Sequence, residues 1–298
     1  MDGLSRVQKI AFGSLGIGVL VFALKLAAYF VTGSIGLYSD AMESLVNVGA
    51  AIAVIVALWL SHKPADANHP YGHTKAEFFS AVAEGVLIII AAASILREAY
   101  GGLIEPPVFD EPATGLVISI VATLINAGWA FVLLSAGKRS GSPALAADGR
   151  HILADVVTSV GVVVGVLLAI STGIAVIDPI VAAFVALNVL WSGWKLVRQS
   201  VGGLMDEAAP SEQVERIREV ISKHAEGAIE AHDLRTRNAG ALTFVEFHLV
   251  VSGEMSVSAA HDICDEIEAA LVEEFSDARV TIHVEPEDKA KHAGIVVV

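Results

Sequence analysis

Six times before residue 200 the chain carries an almost unbroken apolar stretch, at about 10–32, 41–60, 78–96, 113–136, 152–177 and 179–197. Each approaches or exceeds the roughly 20 apolar residues that an α-helix needs to cross a bilayer. The pattern predicts six membrane-spanning helices. The first of them is read as a retained span, because it is too long for a signal-peptide core and no small-residue cleavage site ends it cleanly.

After residue 209 the texture changes. "SEQVERIREVISKHAEG" (211–227) sets Val214, Ile217, Val220 and Ile221 on one helix face, with Ser211 as the expected N-cap. "LTFVEFHLVV" (242–251) alternates, sending Val245, Phe247, Leu249 and Val251 one way and His248 the other. "VSAAHDICDEIEAALVEEF" reads as a second helix through Ile263, Ile267 and Leu271. "ARVTIHVE" (278–285) reads as a strand with Val280, Ile282 and Val284 inward, and His283 and Glu285 outward. With a further strand near 231–237 the order is αββαβ, a layered α+β domain like a metallochaperone. The expected fold is therefore an α-helical membrane protein of six transmembrane helices plus a C-terminal α+β cytoplasmic domain. Its expected parts are 1–208 (membrane), 209–290 (metal-binding) and 291–298 (tail).

Charge adds orientation. Arg6 and Lys9, Lys63 and Lys75, Lys138, Arg139 and Arg150, and Lys195 and Arg198 all fall on one side if the six stretches span. The opposite connections, TGSIG, GGLIEPPVFDEPA and STGIAVIDP, hold no Lys or Arg. By the positive-inside rule both termini are expected in the cytoplasm. Short loops and the lack of a targeting segment point to a plasma membrane. Residues 210–298 hold 18 acidic against 8 basic side chains, within a whole-chain net charge of −14. That balance argues against nucleic acid and anionic lipid surfaces as partners of this domain. The single cysteine, Cys264, excludes an intramolecular disulfide and reads as a small residue on a helix face.

Polar residues interrupt the apolar stretches in a repeated way. Asp40, Glu43 and Asn47 are spaced i, i+3, i+7, and so are Asp148, His151 and Asp155. This spacing puts each set on one helix face. An ionisable group within a bilayer costs about 2.5 to 3.5 kcal/mol on insertion scales, so such stripes mark a polar pathway or a partner. If the second and fifth spans face one another, Glu43, Asn47, His151 and Asp155 converge as four N/O ligands, a set suited to tetrahedral Zn²⁺. The alternative is an interhelical hydrogen-bond or ion-pair network that only holds the bundle. Lys25 and Glu84, also deep in spans, are expected to pair with each other or to line a wet cavity. Gly161 and Gly165 form a G-x-x-x-G that permits close helix approach. Between spans two and three, "PADANHPYGHTKAE" (64–77) offers Asp66, His69 and His73 as metal ligands or as loop-tip hydrogen bonders.

At these residues the chain resembles the cation diffusion facilitators, which export divalent metals in exchange for protons. The resemblance runs through "SDAMESLVN", "HPYGHTKAE", "DGRHILADV" and "GLMDEAAP" (203–210), and so covers nearly the whole chain. It implies an intramembrane transport site of Glu43, Asn47, His151 and Asp155, departing from the familiar zinc pattern in its Glu and Asn. It implies a loop site of Asp66, His69 and His73, and a Lys75–Asp206 pair joining membrane and soluble domains near a dimer interface. It also implies a regulatory metal cluster of His232, His248, His261, His283 and Glu285, where Glu285 replaces the usual Asp. The implied protein is a homodimeric secondary transporter, with metal ions, protons and lipid as partners. Zn²⁺ is the expected substrate and regulatory ligand, with Fe²⁺, Cd²⁺, Co²⁺ and Mn²⁺ open. No cofactor is expected and no enzymatic activity: an intramembrane metalloprotease would need H-E-x-x-H, which is absent from the chain. A membrane-anchored metal sensor that does not transport is the alternative.

Overall fold

The computed structural model describes residues 6–61, 63–140, 143–240, 242–292 and 294–296. Six long helices come first: α1 (Arg6–Thr32), α2 (Ile35–Ser61), α3 (Ala76–Ile104), α4 (Pro112–Ser140), α5 (Pro143–Thr172) and α6 (Ile177–Leu204). All six are long and apolar enough to cross a membrane. Most of their bounds exceed the apolar stretches, but the fifth ends at Thr172 and not at 177, because Gly173 takes φ +72 and turns the chain into α6. The third continues through Arg97 and Glu98, both compatible with a helix, and stops two residues ahead of Pro106. The fifth starts at Pro143 rather than near 152, with proline at the first helical position, where its missing N–H costs nothing. The side chains of Arg6, Lys9 and Arg139, and all of His62, lie outside the described residues.

Two compact units are present, one formed by the chain up to Val56 with Ser80–Val197, the other by Ala57–Phe79 with the chain from Arg198 on. Within the first unit, Ala28, Leu37, Leu116, Val162, Val163 and Val166 form one core across α1, α2, α4 and α5. Ile95, Ala99, Ala182 and Ala186 form another between α3 and α6. The packed residues include many alanines, while Phe30, Leu124, Phe131, Val157, Phe184 and Trp191 face outward. That inversion suits a hydrocarbon solvent, in which small residues let helices approach. Gly165 fits this rule, since a Cβ there would meet Val181, but a Cβ at Gly161 would meet nothing. The G-x-x-x-G therefore contributes one close contact and not two.

The turn between α1 and α2 shows what lets the polar stripe of α2 start where it does. Gly33 takes φ +68 and its N–H returns to the Tyr29 carbonyl at 2.8 Å, ending α1 in the left-handed cap that glycine adopts without strain. Ser34 Oγ accepts from Leu37 N–H at 3.2 Å. The first amides of α2 are further satisfied from α6. Asp178 accepts from Ile35 N–H at 2.7 Å, Gly36 N–H at 3.1 Å and Ser34 Oγ at 2.8 Å. A carboxylate at a helix N-terminus is favoured by both the unpaired amides and the helix dipole.

In the second unit come α7 (Ser211–His224), β1 (Glu230–Ala239), β2 (Leu242–Val251), α8 (Val257–Glu274) and β3 (Ala278–Pro286), then a 3₁₀ turn (Glu287–Lys289) and β4 (Ile295–Val296). The sheet order is β3-β2-β1-β4, with β2 antiparallel to β1 and parallel to β3. Ile217, Val220 and Ile221 of α7 and Ala260, Cys264, Ile267 and Leu271 of α8 bury one sheet face with Val245, Phe247, Leu249 and Val251. Three details differ from expectation. Ser211 is the first helical residue, not the cap; Pro210 occupies that place, and its carbonyl accepts from Val214 N–H at 3.0 Å. Val284 is 39% exposed, because β3 is the sheet's edge strand. Residues expected as a tail supply β4, which pairs Ile295 and Val296 with Ala231 and Glu230.

Candidate functional site

The structure brings three of the four intramembrane candidates into direct reach. Asn47 Nδ2 on α2 donates to Asp155 Oδ2 on α5 at 2.7 Å, and its Oδ1 lies 3.4 Å from His151 Nε2. His151 Nε2 is 4.0 Å from Asp155 Oδ2. Glu43 lies one helical turn from Asn47 on the same face, close enough to Asp155 for the two carboxylates to repel. Its Oε2 is buried and has no hydrogen-bond partner among the described residues. Asn47, His151 and Asp155 thus form one contact cluster, and Glu43 adds a buried carboxylate oxygen with unused hydrogen-bonding capacity near Asp155.

The remaining residues of both stripes do other work. Asp40 lies a turn beyond Glu43 and is fully buried, with Lys25 Nζ at 2.9 Å and Ser159 Oγ at 2.6 Å from its Oδ1. Lys25 Nζ also reaches Ser159 Oγ at 2.9 Å. The expected Lys25–Glu84 pairing is thus replaced by Lys25–Asp40, since three spans place a carboxylate and a hydroxyl around the ammonium. Glu84 instead lies within electrostatic reach of His151. Asp148 accepts from Ser14 Oγ at 3.0 Å, and Ser14 in turn accepts from Trp129 Nε1 at 2.9 Å, tying α5 to α1 and α4.

The histidine loop folds on itself. Asp66 Oδ1 accepts from the N–H groups of Asn68 at 2.9 Å and His69 at 2.8 Å, a turn that carboxylates favour. His69 Nδ1 lies 3.2 Å from Asp66 Oδ1 and His73 Nε2 3.6 Å from Asp66 Oδ2, with the imidazole rings 4.4 Å apart. One ligand atom from each of the three lies within 4.8 Å of the others. The His69 amide, with smaller help from its ring and the Asn68 amide, holds the Asp66 carboxyl below its usual range. Beyond the loop, Lys75 Nζ donates to Asp206 Oδ1 at 2.8 Å, and Arg237 Nη1 approaches the same oxygen at 3.4 Å. The Lys75 hydrogen bond is the main reason that the Asp206 carboxyl titrates low. Asp206 itself sits at φ +59, so its backbone is held in a conformation that non-glycine residues rarely adopt.

On the sheet face away from the helices, register makes a row of histidines: His232 pairs with His248, and His248 with His283. Their rings stand 5.3 and 5.0 Å apart. Glu285, two residues along β3, reaches all three, at 3.2 Å from His232 Nε2, 3.2 Å from His248 Nδ1 and 3.8 Å from His283 Nε2. His248 Nδ1 is nevertheless buried with no hydrogen bond among the described residues. The fifth candidate, His261, stands apart on α8, 71% exposed and 3.7 Å from Asp265. Two neighbours were not anticipated. Asp233 joins His232 and His248 within 4.8 Å, turned there by φ +52 at a register shift in β1. Glu230 Oε1 lies 2.9 Å from His232 Nδ1; its position two residues before a histidine on a strand was the available signal.

Comparison with known proteins places the chain in a family. Residues 11–205 match the cation efflux transmembrane domain, and residues 209–287 the cytoplasmic domain of cation efflux proteins. An uncharacterised transporter of Synechocystis sp. is 43% identical over 278 residues, covering 93% of this chain and 90% of its own length. The cation-efflux pump FieF of Escherichia fergusonii is 28% identical over 281 residues, covering 94% and 93%. A solved structure of CzrB in its Zn form is 52% identical over a region covering 29% of this chain and 98% of that one, with a TM-score of 0.28. Six spans with paired polar stripes, a C-terminal domain that matches the cytoplasmic domain of cation efflux proteins and near full-length similarity lead to one conclusion: the chain belongs to the cation diffusion facilitator (cation efflux) family, multi-pass membrane transporters of metal cations and not enzymes.

Proposed function

We propose that the protein exports a divalent metal ion, Zn²⁺ above Fe²⁺, Cd²⁺, Co²⁺ or Mn²⁺, from the cytoplasm across the plasma membrane in exchange for protons, working as a homodimer with both termini cytoplasmic. The observation that carries this reading is a charge balance. Lys25 and Asp40 neutralise one another at 2.9 Å, whereas among the described residues neither Glu43 nor Asp155 forms an ion pair with a Lys or Arg. A divalent ion balances these two carboxylates, and so do two protons; the two cargoes therefore compete for one pair of groups. The His151 imidazole and the Asn47 oxygen complete an N/O set that suits zinc without excluding harder ions. Alternating exposure of the stripe to the two sides would then move metal one way and protons the other.

The histidine row would hold a regulatory metal. His248 supplies a buried nitrogen with no hydrogen bond among the described residues, and His232, His283 and Glu285 lie around it, so the donors fit a zinc ion. Such an ion would cross-link β1, β2 and β3. Asp66, His69 and His73 would hold a further ion in the loop. The test is metal flux into proteoliposomes carrying an inside-acid gradient, with Zn²⁺, Fe²⁺, Cd²⁺, Co²⁺ and Mn²⁺ compared. Proton-driven uptake that disappears in Asp155→Ala is expected. Zinc bound by the soluble domain with no flux of any metal would favour a sensor instead.

A further inference from the structure

Glu230, the first residue of β1, is outside the donor set proposed for the regulatory metal, yet its carboxylate is fully engaged. Lys291 N–H donates to Oε1 at 2.6 Å and His292 N–H to Oε2 at 2.9 Å. The same Oε1 lies 2.9 Å from His232 Nδ1, and the side chain is only 9% exposed. The other nitrogen of that ring, Nε2, points to Glu285 in the histidine row. A carboxylate against Nδ1 keeps that nitrogen as the N–H donor and leaves the Nε2 lone pair free for a metal.

The two amides that fix Glu230 belong to the segment between the 3₁₀ turn and β4. Successive N–H groups directed at one carboxylate form a small anion cradle, and His292 adopts φ +55 within it. β4 then pairs with Glu230 and Ala231 themselves, so side chain and ladder clasp the same two residues. Lys291 Nζ adds an ion pair to Asp233 at 2.5 Å, through a different group.

We infer that Glu230 is a positioning residue for the regulatory metal, and that the strap formed by Lys291, His292 and β4 sets His232 through it. The inference rests on reading His232, His248, His283 and Glu285 as a metal cluster. Coupling of this kind is reciprocal: the strap strengthens zinc binding, and zinc tightens the strap.

The experiment uses the full-length protein in detergent, in an Asp155→Ala background that disables the membrane site. Zinc affinity is read by competition with a chelating dye, and the sites lost in His232→Ala define the cluster. Glu230→Gln is expected to weaken that class by about tenfold to a hundredfold, the range for partners of metal-bound histidines. Lys291→Pro removes the N–H donor, and Ala290 at φ −57, ψ 131 already has the conformation that precedes proline. It is expected to weaken zinc comparably, whereas Lys291→Ala, which keeps the N–H, stays within about twofold. As a second readout, zinc should slow tryptic cleavage after Lys289 and Lys291 in the otherwise unaltered background and not in Glu230→Gln. Cluster zinc bound equally well by Glu230→Gln and Lys291→Pro, with the strap equally protected, would overturn the inference and leave the cluster standing. No zinc class sensitive to His232→Ala would remove the cluster reading itself.

Discussion

Lys25 Nζ stands 2.9 Å from Asp40 Oδ1, with the two side chains 1% and 0% exposed and fifteen positions apart on separate spans. A lone ammonium or carboxylate at that depth would be strongly unfavourable, and the two offset each other only as a pair. The consequence is an asymmetry between single and double substitutions. Lys25→Met alone should lower stability by about 3 to 5 kcal/mol, because it leaves Asp40 buried and uncompensated. Lys25→Met with Asp40→Leu should recover most of that loss. Thermal melting of the purified protein in detergent, read for both variants, checks this.

On the stripe proposed for transport, Asp155 and Asn47 are hydrogen-bonded at 2.7 Å but differ in charge. Asp155→Ala removes half of the negative charge that a divalent ion would neutralise, and flux should fall to background. Asn47→Ala removes a neutral donor and an orienting contact, so a residual flux with roughly tenfold weaker metal affinity is expected. Radiometal uptake into proteoliposomes gives both numbers. Equal loss in the two variants would contradict the charge-balance argument.

Asp178 satisfies two amides of α2 and the Ser34 hydroxyl from the start of α6. Asp178→Ala should destabilise the membrane unit by about 1 to 3 kcal/mol, the cost of buried donors left without an acceptor. Asp178→Asn keeps one acceptor oxygen and should cost less. Melting temperatures of the two variants, compared with the parent, decide it.

The Lys75–Asp206 tie has a defined acid limit. The folded-state carboxyl of Asp206 lies below the ordinary aspartate value of 3.8, chiefly because Lys75 donates to it. Its contribution is therefore complete above that value and is lost as pH falls towards the depressed one. Both side chains are partly exposed, so screening keeps the effect small and salt-sensitive. Asp206→Asn should lower stability slightly at pH 7 and flatten its decline as pH falls below the ordinary aspartate value, as measured by melting at low and high salt.

In the histidine row, His248 lies between His232 and His283 while His261 faces away on α8. His248→Ala should therefore reduce zinc affinity within one chain far more than His261→Ala. Zinc titration of the two variants separates them. An equal loss would require His261 to reach the cluster from outside its own chain.

Much of this molecule is written in local pattern. The length of each apolar stretch determined six spans, because a bilayer leaves its helices no alternative means of satisfying backbone groups. The i, i+3, i+7 spacing determined that Glu43 and Asn47, and His151 and Asp155, share faces. Strict alternation in β2 determined which side His248 would take. The partners of those faces were a tertiary decision. Lys25 found Asp40 and Ser159 and not Glu84, since only the packing of α1, α2 and α5 chooses among carboxylates with equal claims in sequence. Asp178 reached the start of α2 across more than 140 positions. The bulge that turns Asp233 toward the histidines, and the strap that grips Glu230, depend on register and on chain returning to a sheet edge. Periodicity reports which way a side chain points; only the folded chain sets what stands opposite it.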